Sequence, residues 1–538
     1  MVITPQTNIK LLKVPFEMDN SNQLTFSSAT AQYNYFNGLS DKIEYDNCTY
    51  QRKDGYMAIN EDADTLQSYN YCMYQNEQYG NKWFYAFITN VTYEGNEVSY
   101  VYIKTDVFQT WQFDIVWKRS FVEREHVNND TIGLHTVPEN LETGEYVTNS
   151  TYKFPIFEYF YIVLAVSVVP KLSQPSAGAL VIDWDNATRR MYNGVFSGYA
   201  YIVVDTVNHA SELIKLYDKE GKSDAIQSIF IAPVELCGIS SWYTYNAGGY
   251  DIKYAEVNNT TGTWGYTTLA IPRNTTLDGY SPINNKLYVS PFCYMSLDNN
   301  TGNCLTLNYE DFTGNTGINF DLEGCLTQGG SVKLIASNYK NVTSNHQYSL
   351  MLSKFPICSW NSDVYANWLK QNGINLGLNV ISDIGQIISG GVLASTGAGS
   401  LAGVGQIASG LTGIASTLGQ VYEHSLIPPS VQGNINGGDV NFALDLYNPI
   451  LYQNSIKAEY ARIIDSFFTM YGYKVNTLKI PNITGRSNWN YVKTIGCNIV
   501  GDIPQKDLQE LKSMFDNGIT LWHNASTFLD YSQTNNIV

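Results

Sequence analysis

The chain contains a long apolar segment that is almost free of charge. Between Lys370 and Glu423 the only charged residue is Asp383, and Gly, Ala, Ser, Ile, Leu and Val dominate the sequence. One helical pass through a bilayer needs about 20 apolar residues, so the segment is long enough for two passes. Its twelve glycines disfavour a permanent membrane helix, because each costs up to about 1 kcal/mol of helix stability. We therefore expect a segment that is buried first and inserted into a membrane later.

The large aliphatic side chains of this segment are the predicted membrane-inserting residues, and the surrounding region 366–435 is predicted to be a long apolar membrane-active loop. These residues are Ile374, Leu376, Leu378, Ile381, Ile387, Ile388, Val392, Leu393, Leu401, Val404, Ile407, Leu411, Ile414 and Leu418. A flexible soluble linker is an alternative interpretation, but linkers are polar. A buried core helix is another, and the glycines argue against it.

Small residues within the segment recur at four-residue steps. On a helix they would form two adjacent columns, the arrangement that allows helices to approach closely in lipid. The predicted small-residue packing face consists of Gly390, Ala394, Ala398 and Ala402 in one column and Gly391, Ser395, Gly399 and Gly403 in the other. Any Gly/Ala-rich run produces such spacings by chance, and that interpretation stays open beside the packing face.

Charge and cysteine content restrict the function classes. The net charge of −17 argues against tight binding of nucleic acid, which needs Lys and Arg to displace counterions from phosphates. It is compatible with a passage through which nucleic acid slides. The eight cysteines are scattered without a Cys-x-x-Cys pair, so we expect free buried thiols made in a reducing cytoplasm. The start, Met1 to Gln6, lacks the pattern of a signal peptide.

No catalytic or metal-binding motif is present in the sequence. The six histidines form no His-Glu-x-x-His pair, and no Gly-x-Ser-x-Gly or Walker motif occurs. Carboxylate pairs for glycoside cleavage are defined in space and not in sequence; Glu139, Glu142 and Glu145 are an example, which we interpret as a solvated acidic loop. We expect no enzyme activity, no cofactor and no metal.

Outside the apolar segment the pattern is typical of β-structure with a few helices. Two aromatic and β-branched runs, Trp83–Tyr93 and Val98–Ile103, flank the turn Glu94-Gly95-Asn96 and predict a hairpin. The runs 157–168 and 200–205 predict central strands, and 210–217 predicts a helix. Two amphipathic helices are predicted near the C-terminus, one from about Ser455 to Met470 and one from Pro504 to Gly518.

These elements predict four parts of the chain. Residues 1–165 are expected to form an N-terminal β tube domain, and residues 166–365 an inserted β-rich middle domain. The apolar loop 366–435 follows, and residues 436–538 form an α+β part that completes the tube.

Several strings near both ends of the chain resemble one known protein family. The strings are Gln32–Asn37, Tyr79–Phe87, Thr110–Asp114, Ser120–His126, Phe467–Lys474 and Met514–His523. Together they are similar to the tail-knob, or distal tail tube, proteins of picovirus-type short-tailed phages that infect Gram-positive bacteria. The apolar segment stands where that family has its long hydrophobic loop, whereas residues 170–360 show no matching motif.

The resemblance implies a mainly β fold with some α, built from β-barrel tail-tube-like domains, and a homohexameric tube at the tail tip of the virion. It implies that six apolar loops plug the lumen, leave it on infection and form a pore in the host cytoplasmic membrane for DNA. The implied partners are other copies of the chain, the upper tail tube or collar protein and other tail proteins, the membrane, and DNA that passes without sequence-specific binding. A receptor-binding or wall-glycan-binding tail component is the alternative, and a wall-degrading enzyme is a second one.

Overall fold

The computed structural model divides the chain into two compact units. Unit 1 comprises Met1–Glu145, Thr276–Phe292 and Ile456–Val538, and unit 2 comprises Tyr146–Thr275 and Cys293–Ser455. The structure describes residues 6–51, 55–76, 80, 82–154, 160–173, 181–187, 190–192, 195–234, 237–247, 249–257, 264–269, 271–300, 302–313, 318–324, 332–351, 357–359, 434–435 and 448–538. Every residue predicted to insert into a membrane or to form the small-residue face lies outside these ranges.

The described residues form many short strands and a few helices. The strands are β1 (Thr7–Leu12), β2 (Asn22–Leu24), β3 (Lys42–Gln51), β4 (Tyr56–Ile59), β5 (Tyr71–Asn76), β6 (Trp83–Gly95), β7 (Val98–Thr105), β8 (Val116–Trp117), β9 (Ser120–Glu125), β10 (Tyr146–Lys153), β11 (Phe160–Val166), β12 (Val168–Ser173), β13 (Val181–Asn186), β14 (Arg190–Tyr192), β15 (Val195–Ser197), β16 (Ala200–Val204), β17 (Ile226–Pro233), β18 (Ile239–Ala247), β19 (Tyr250–Val257), β20 (Trp264–Leu269), β21 (Cys293–Asp298), β22 (Cys304–Leu307), β23 (Ile318–Gly324), β24 (Val332–Tyr339), β25 (Val342–Met351), β26 (Ile357–Ser359), β27 (Asn434–Ile435), β28 (Ile450–Ile456), β29 (Tyr473–Lys479), β30 (Trp489–Ile495), β31 (Ile499–Val500) and β32 (Ile519–Trp522). The helices are α1 (Ala29–Asn37), α2 (Ala63–Leu66), α3 (Val107–Trp111), α4 (Val207–Lys219), α5 (Ala458–Tyr471) and α6 (Gln505–Asn517). Within the described ranges, no helix is both long and apolar enough to cross a bilayer.

Unit 1 contains a closed β-barrel with the strand order β1-β3-β4-β7-β6-β5. Its interior is filled by side chains that alternate inward along the strands, among them Ile9, Met57 and Val101. The hairpin β6–β7 confirms the prediction, but its turn lies one residue later than expected. Asn96 and Glu97 hold the two positive φ angles, 51° and 61°, that a tight two-residue hairpin turn requires.

Unit 1 also contains a five-stranded sheet with the order β2-β32-β30-β9-β29 and a two-stranded sheet formed by β8 and β31. Helix α6 packs Leu511 and Phe515 into the same apolar cluster as Val492 of β30. Both C-terminal helices confirm the predictions. Helix α5 ends at Gly472 and α6 ends at Gly518. These glycines have positive φ angles of 65° and 96°, a conformation that ends a helix and that glycine adopts at little energetic cost.

Unit 2 is organised around a seven-stranded sheet with the order β18-β19-β16-β11-β17-β26-β27. Strand β11 is central and buried, as its continuous apolar run predicts, and it pairs antiparallel with β16 and β17. The predicted helix is observed as α4 and contacts β19. The mainly β fold with a barrel is therefore confirmed. The boundaries at 165, 365 and 435 and the hexameric state stay predictions.

Candidate functional site

The apolar segment leaves and rejoins the described structure at adjacent backbone positions. Strand β26 precedes the segment and pairs antiparallel with β27, which follows it, through Cys358↔Ile435 and Ser359↔Asn434. Strand β26 is itself paired with β17 of the seven-stranded sheet, where Phe230 lies opposite Ile357. Residues 360–433 therefore begin and end at one edge of a sheet in unit 2.

Backbone pairing at this base fixes both ends of the segment independently of its side chains. The entropic cost of joining the ends of a long segment grows only slowly with its length. The pairing of β26 with β27 is therefore compatible with an insertion of this length between them.

The second notable feature is a buried ionic cluster in unit 1. Glu139 accepts from Arg124 and from Lys286, and its Oε1 also accepts from the backbone N of Lys474 at 2.9 Å. The side chains of Glu139 and Lys286 are 1% and 2% exposed. Burial lowers the pKa of Lys286 from its usual value, partly offset by Glu139. The predicted solvated acidic loop is therefore wrong at Glu139, because the loop folds inward to pair with two cations.

Lys286 of the ionic cluster belongs to the returning segment, Thr276–Phe292, where the chain passes back through unit 1 between two stretches of unit 2. Asp465 of α5 is 1% exposed and accepts from the Tyr280 hydroxyl at 2.7 Å and from the backbone N of Ile283 and Asn284 at 2.8 and 3.0 Å. A buried carboxylate that accepts several charge-assisted hydrogen bonds holds its donors firmly in place. The returning segment is thus tied to helix α5.

A further carboxylate, Asp130, extends the attachment. Its Oδ2 accepts from the backbone N of Asn285 at 3.0 Å, and its backbone carbonyl accepts from the Asn285 side chain at 2.6 Å. Sequence reasoning missed this arrangement, because Asn284 and Asn285 look like ordinary loop residues. The sequence shows only that acidic residues are present at distant positions, and it does not show which residues they contact.

Burial shifts the pKa values of His126 and Asp106 in unit 1 in opposite directions. Burial lowers the pKa of His126 to about 3, and its Nδ1 accepts from the backbone N of Tyr491 at 2.8 Å. Burial raises the pKa of Asp106 to about 6, against opposing hydrogen bonds from Gln109 and Tyr71. Both belong to packed, hydrogen-bonded interiors.

No group of three or more His, Cys, Asp or Glu side chains within the described ranges is placed to hold a metal ion. Among the cysteines in those ranges, Cys48, Cys72 and Cys497 are buried free thiols, and Cys304 is an exposed one. The prediction of free buried thiols is confirmed for Cys48, Cys72 and Cys497, and the prediction of burial is wrong for Cys304.

Comparison with known families identifies this architecture. The family described as the C-terminal domain of Bacillus phage phi29 tail knob protein gp9 matches residues 251–536. The chain belongs to this tail knob family. The N-terminal family of the caudoviral major tail proteins matches residues 5–118, which include the barrel.

Relatives of known name cover nearly the whole chain. The tail knob protein gp9 of Bacillus phage phi29 is 28% identical, with 96% of each chain covered. The protein of the same name in Bacillus phage PZA is 27% identical over the same shares. The solved tail knob protein gp12 of bacteriophage C1 has a TM-score of 0.66 at 17% identity, covering 99% of this chain and 100% of that one. At that identity the likeness to the C1 protein shows the fold.

The family resemblance predicted from the end strings is therefore confirmed. The chain is a tail knob protein of a short-tailed phage and a component of the virion tail. Its named relatives are structural tail proteins, and none of the names denotes an enzyme.

Proposed function

We propose that the chain forms a homohexameric DNA conduit at the tip of the tail, below the upper tail tube or collar protein. Its apolar region 366–435 plugs the lumen before infection and then inserts into the host cytoplasmic membrane to make a pore for the genome. The observation that supports this most is the paired base β26–β27, which joins the ends of an almost uncharged segment in a tail knob protein. No enzymatic step is part of the proposal.

The driving force of the switch is the apolar surface of the segment. In the closed tube the Ile, Leu and Val side chains bury against one another, which stabilises them by about 25 cal/mol per Å². A bilayer offers an apolar environment of similar quality once the tail tip reaches it. The Gly and Ala columns then let neighbouring segments pack closely in lipid.

Asp383 is the one charge that the segment must place in or near lipid. An ionised carboxylate at the bilayer centre costs about 3 kcal/mol on insertion scales, and protonation removes that cost. Leakage of dye-loaded liposomes caused by the protein is therefore expected to rise from pH 7.5 to pH 5. In Asp383→Asn the leakage should be high at both pH values. Equal leakage of the unaltered chain at both pH values would exclude this role of Asp383.

The function of the segment is tested by deleting residues 372–422, which leaves β26 and β27 in place. The variant is expected to assemble and adsorb normally and to cause no liposome leakage. Substitution of Ile387, Ile388 and Leu393 by Ser should lower leakage at least tenfold, whereas Ser→Ala changes at Ser389, Ser395 and Ser400 serve as the matched control and should preserve it. Undiminished leakage after the deletion would refute the membrane role.

The same deletion separates the conduit from the receptor-binding alternative. If the chain were only a receptor-binding or glycan-binding component, particles carrying the deletion would adsorb and also deliver DNA. The conduit predicts normal adsorption with blocked delivery. A lytic band in cell-wall zymography would contradict the non-enzymatic proposal.

A further inference from the structure

Three neighbouring strands of unit 1 present an exposed apolar row. In the five-stranded sheet, Leu478 of β29 and Ile495 of β30 both lie opposite Phe121 of β9. Their exposed fractions are 61%, 57% and 38%. Side chains in register on adjacent strands are direct neighbours, so the row is continuous across the sheet.

The row continues onto the short pair β8–β31. Val116 lies opposite Val500. The backbone N of Asn498, which precedes β31, donates to the hydroxyl of Ser120 in β9 at 2.9 Å, so the pair is linked to the five-stranded sheet. With Ile480, the outer patch consists of Val116, Phe121, Leu478, Ile480, Ile495 and Val500, all exposed.

The outer patch lies on the face of the sheet opposite the core. Trp117, Val492 and Ile499 belong to the apolar cluster that contains helix α6 residues, and strand side chains alternate between faces. Helix α5 covers the other end of this outer face, where Tyr471 contacts the Tyr491 ring at 5.1 Å between centroids. A contiguous apolar area left bare beside a covered one marks an interaction site.

The charges beside the patch favour a second copy of this chain as its binding partner. Lys118 and Arg119 lie beside the patch and are exposed, and no carboxylate in the described ranges lies within ion-pair distance of either. Of the acids two positions from patch residues, Glu123 pairs with Lys493 at 3.0 Å and Asp114 with Lys82 at 2.5 Å, while Asp502 is exposed. The chain as a whole carries 49 acidic against 32 basic residues. On its barrel, Asp46, Asp62 and Asp64 are exposed. The two cations Lys118 and Arg119 beside the apolar patch are therefore complementary to the exposed acids of a second copy.

The geometry favours docking through the face of the sheet and not through its edge. Edge strands attract further strands when they are long and flat. Strand β29 has a register shift between Lys474 and Thr477, and Asn476 within it has a φ of 47°. This irregularity interrupts the edge and leaves the side-chain surface available.

We infer that the outer patch docks onto a second copy of this chain, with Lys118 and Arg119 facing Asp46, Asp62 and Asp64 of that copy's barrel. The inference rests on the proposed function, which requires several copies around a lumen, and it names the surface that joins them. Because the two contacting surfaces differ, repetition of the contact generates a ring when its rotation closes.

The test measures the mass of the full-length protein by light scattering over a concentration series. The unaltered chain is expected to form a multimer. The triple variant Phe121→Ser, Leu478→Ser, Ile495→Ser should raise the dissociation constant at least tenfold, with its circular dichroism spectrum retained. The matched control, Val181→Ser, Val342→Ser, Met351→Ser, changes side chains of similar exposure in unit 2 and should assemble like the unaltered chain.

Charge exchange tests whether Lys118 and Arg119 face acidic residues of a second copy's barrel. Lys118→Glu with Arg119→Glu should weaken assembly, as should Asp62→Lys with Asp64→Lys, and the chain carrying all four changes should recover it. Normal assembly of the triple Ser variant, or a monomeric unaltered chain, would overturn the inference. Flotation of a monomeric chain with anionic vesicles through this patch would overturn it in favour of lipid.

The outcomes separate this inference from the proposed function. The chain lacking residues 372–422 should assemble normally and cause no leakage of liposomes. If the triple Ser variant assembles normally while the unaltered chain still permeabilises liposomes, the docking surface is wrong and the membrane role stands. If assembly depends on the patch but no chain permeabilises liposomes, the surface stands and the membrane role is wrong.

Discussion

At the scale of single residues, unit 1 depends on carboxylates that are buried and fully engaged. Glu139 neutralises two cations, Arg124 and Lys286, and fixes the returning segment. Glu139→Gln leaves both cations buried without a carboxylate, and breaking such a buried pair costs about 3–5 kcal/mol. We expect a loss of that size in urea denaturation. Glu145→Gln removes the carboxylate of the exposed pair with Lys457 and should have little effect; equal effects of the two changes would contradict the argument.

Also at the residue scale, His126 makes the stability of unit 1 acid-sensitive. Its pKa is lowered by burial to about 3, whereas an unfolded histidine titrates near 6.5. The folded state thus binds the proton less well, so its contribution is complete above pH 6.5 and is lost as the pH falls toward 3. The free energy of unfolding should fall by about 2–3 kcal/mol between pH 7 and pH 4.5.

A variant with a neutral side chain isolates this effect. His126→Asn should remove the corresponding part of the pH dependence, whatever it does to the stability at pH 7. Asp106 has the opposite sign, because its pKa is raised to about 6 and its folded state gains stability as the pH falls from 6 toward 4. Asp106→Asn should therefore steepen the loss in acid. An unchanged pH profile in His126→Asn would show that other groups are responsible.

At the scale of elements, the junction between α5 and β29 is set by one glycine. Gly472 has a φ of 65°, and a Cβ there would lie 2.2 Å from the backbone oxygen of Glu125. Gly496 has a φ of 67° with open space around it, so it measures the backbone cost alone, about 1–2 kcal/mol for Ala. Gly472→Ala should lower the thermal midpoint clearly more than Gly496→Ala. Equal shifts would mean that the close approach to β9 relaxes freely.

The elements with strong local patterns were predictable from the sequence. The β6–β7 hairpin, the central strand β11 and the helices α5 and α6 follow from alternation, apolar runs and glycine stops. The base β26–β27 was not predictable, because two short strands separated by residues 360–433 carry no local pairing signal. The outer patch depends on which strands become neighbours, and its residues are scattered from Val116 to Val500.

At the scale of the whole molecule, the chain combines a folded framework with the apolar segment between Lys370 and Glu423, whose composition favours an apolar environment. In unit 1 the framework consists of a closed barrel and a five-stranded sheet. Buried carboxylates hold the returning segment in that unit. The acidic balance and the apolar segment were read directly from composition, and family membership was read from strings at both ends. The burial of Glu139 was missed because a sequence shows an acid but not its distant partners, Arg124 and Lys286.

The most direct test of the conduit is electron cryomicroscopy of virion tails, alone and bound to liposomes, with tails lacking residues 372–422 as the control. The account predicts a six-fold ring whose lumen is filled in free tails and empty in the deletion variant. On liposomes, the lumen should be open and density should cross the bilayer. A lumen that is open in free unaltered tails, or one that stays filled on liposomes with no density in the bilayer, would contradict it.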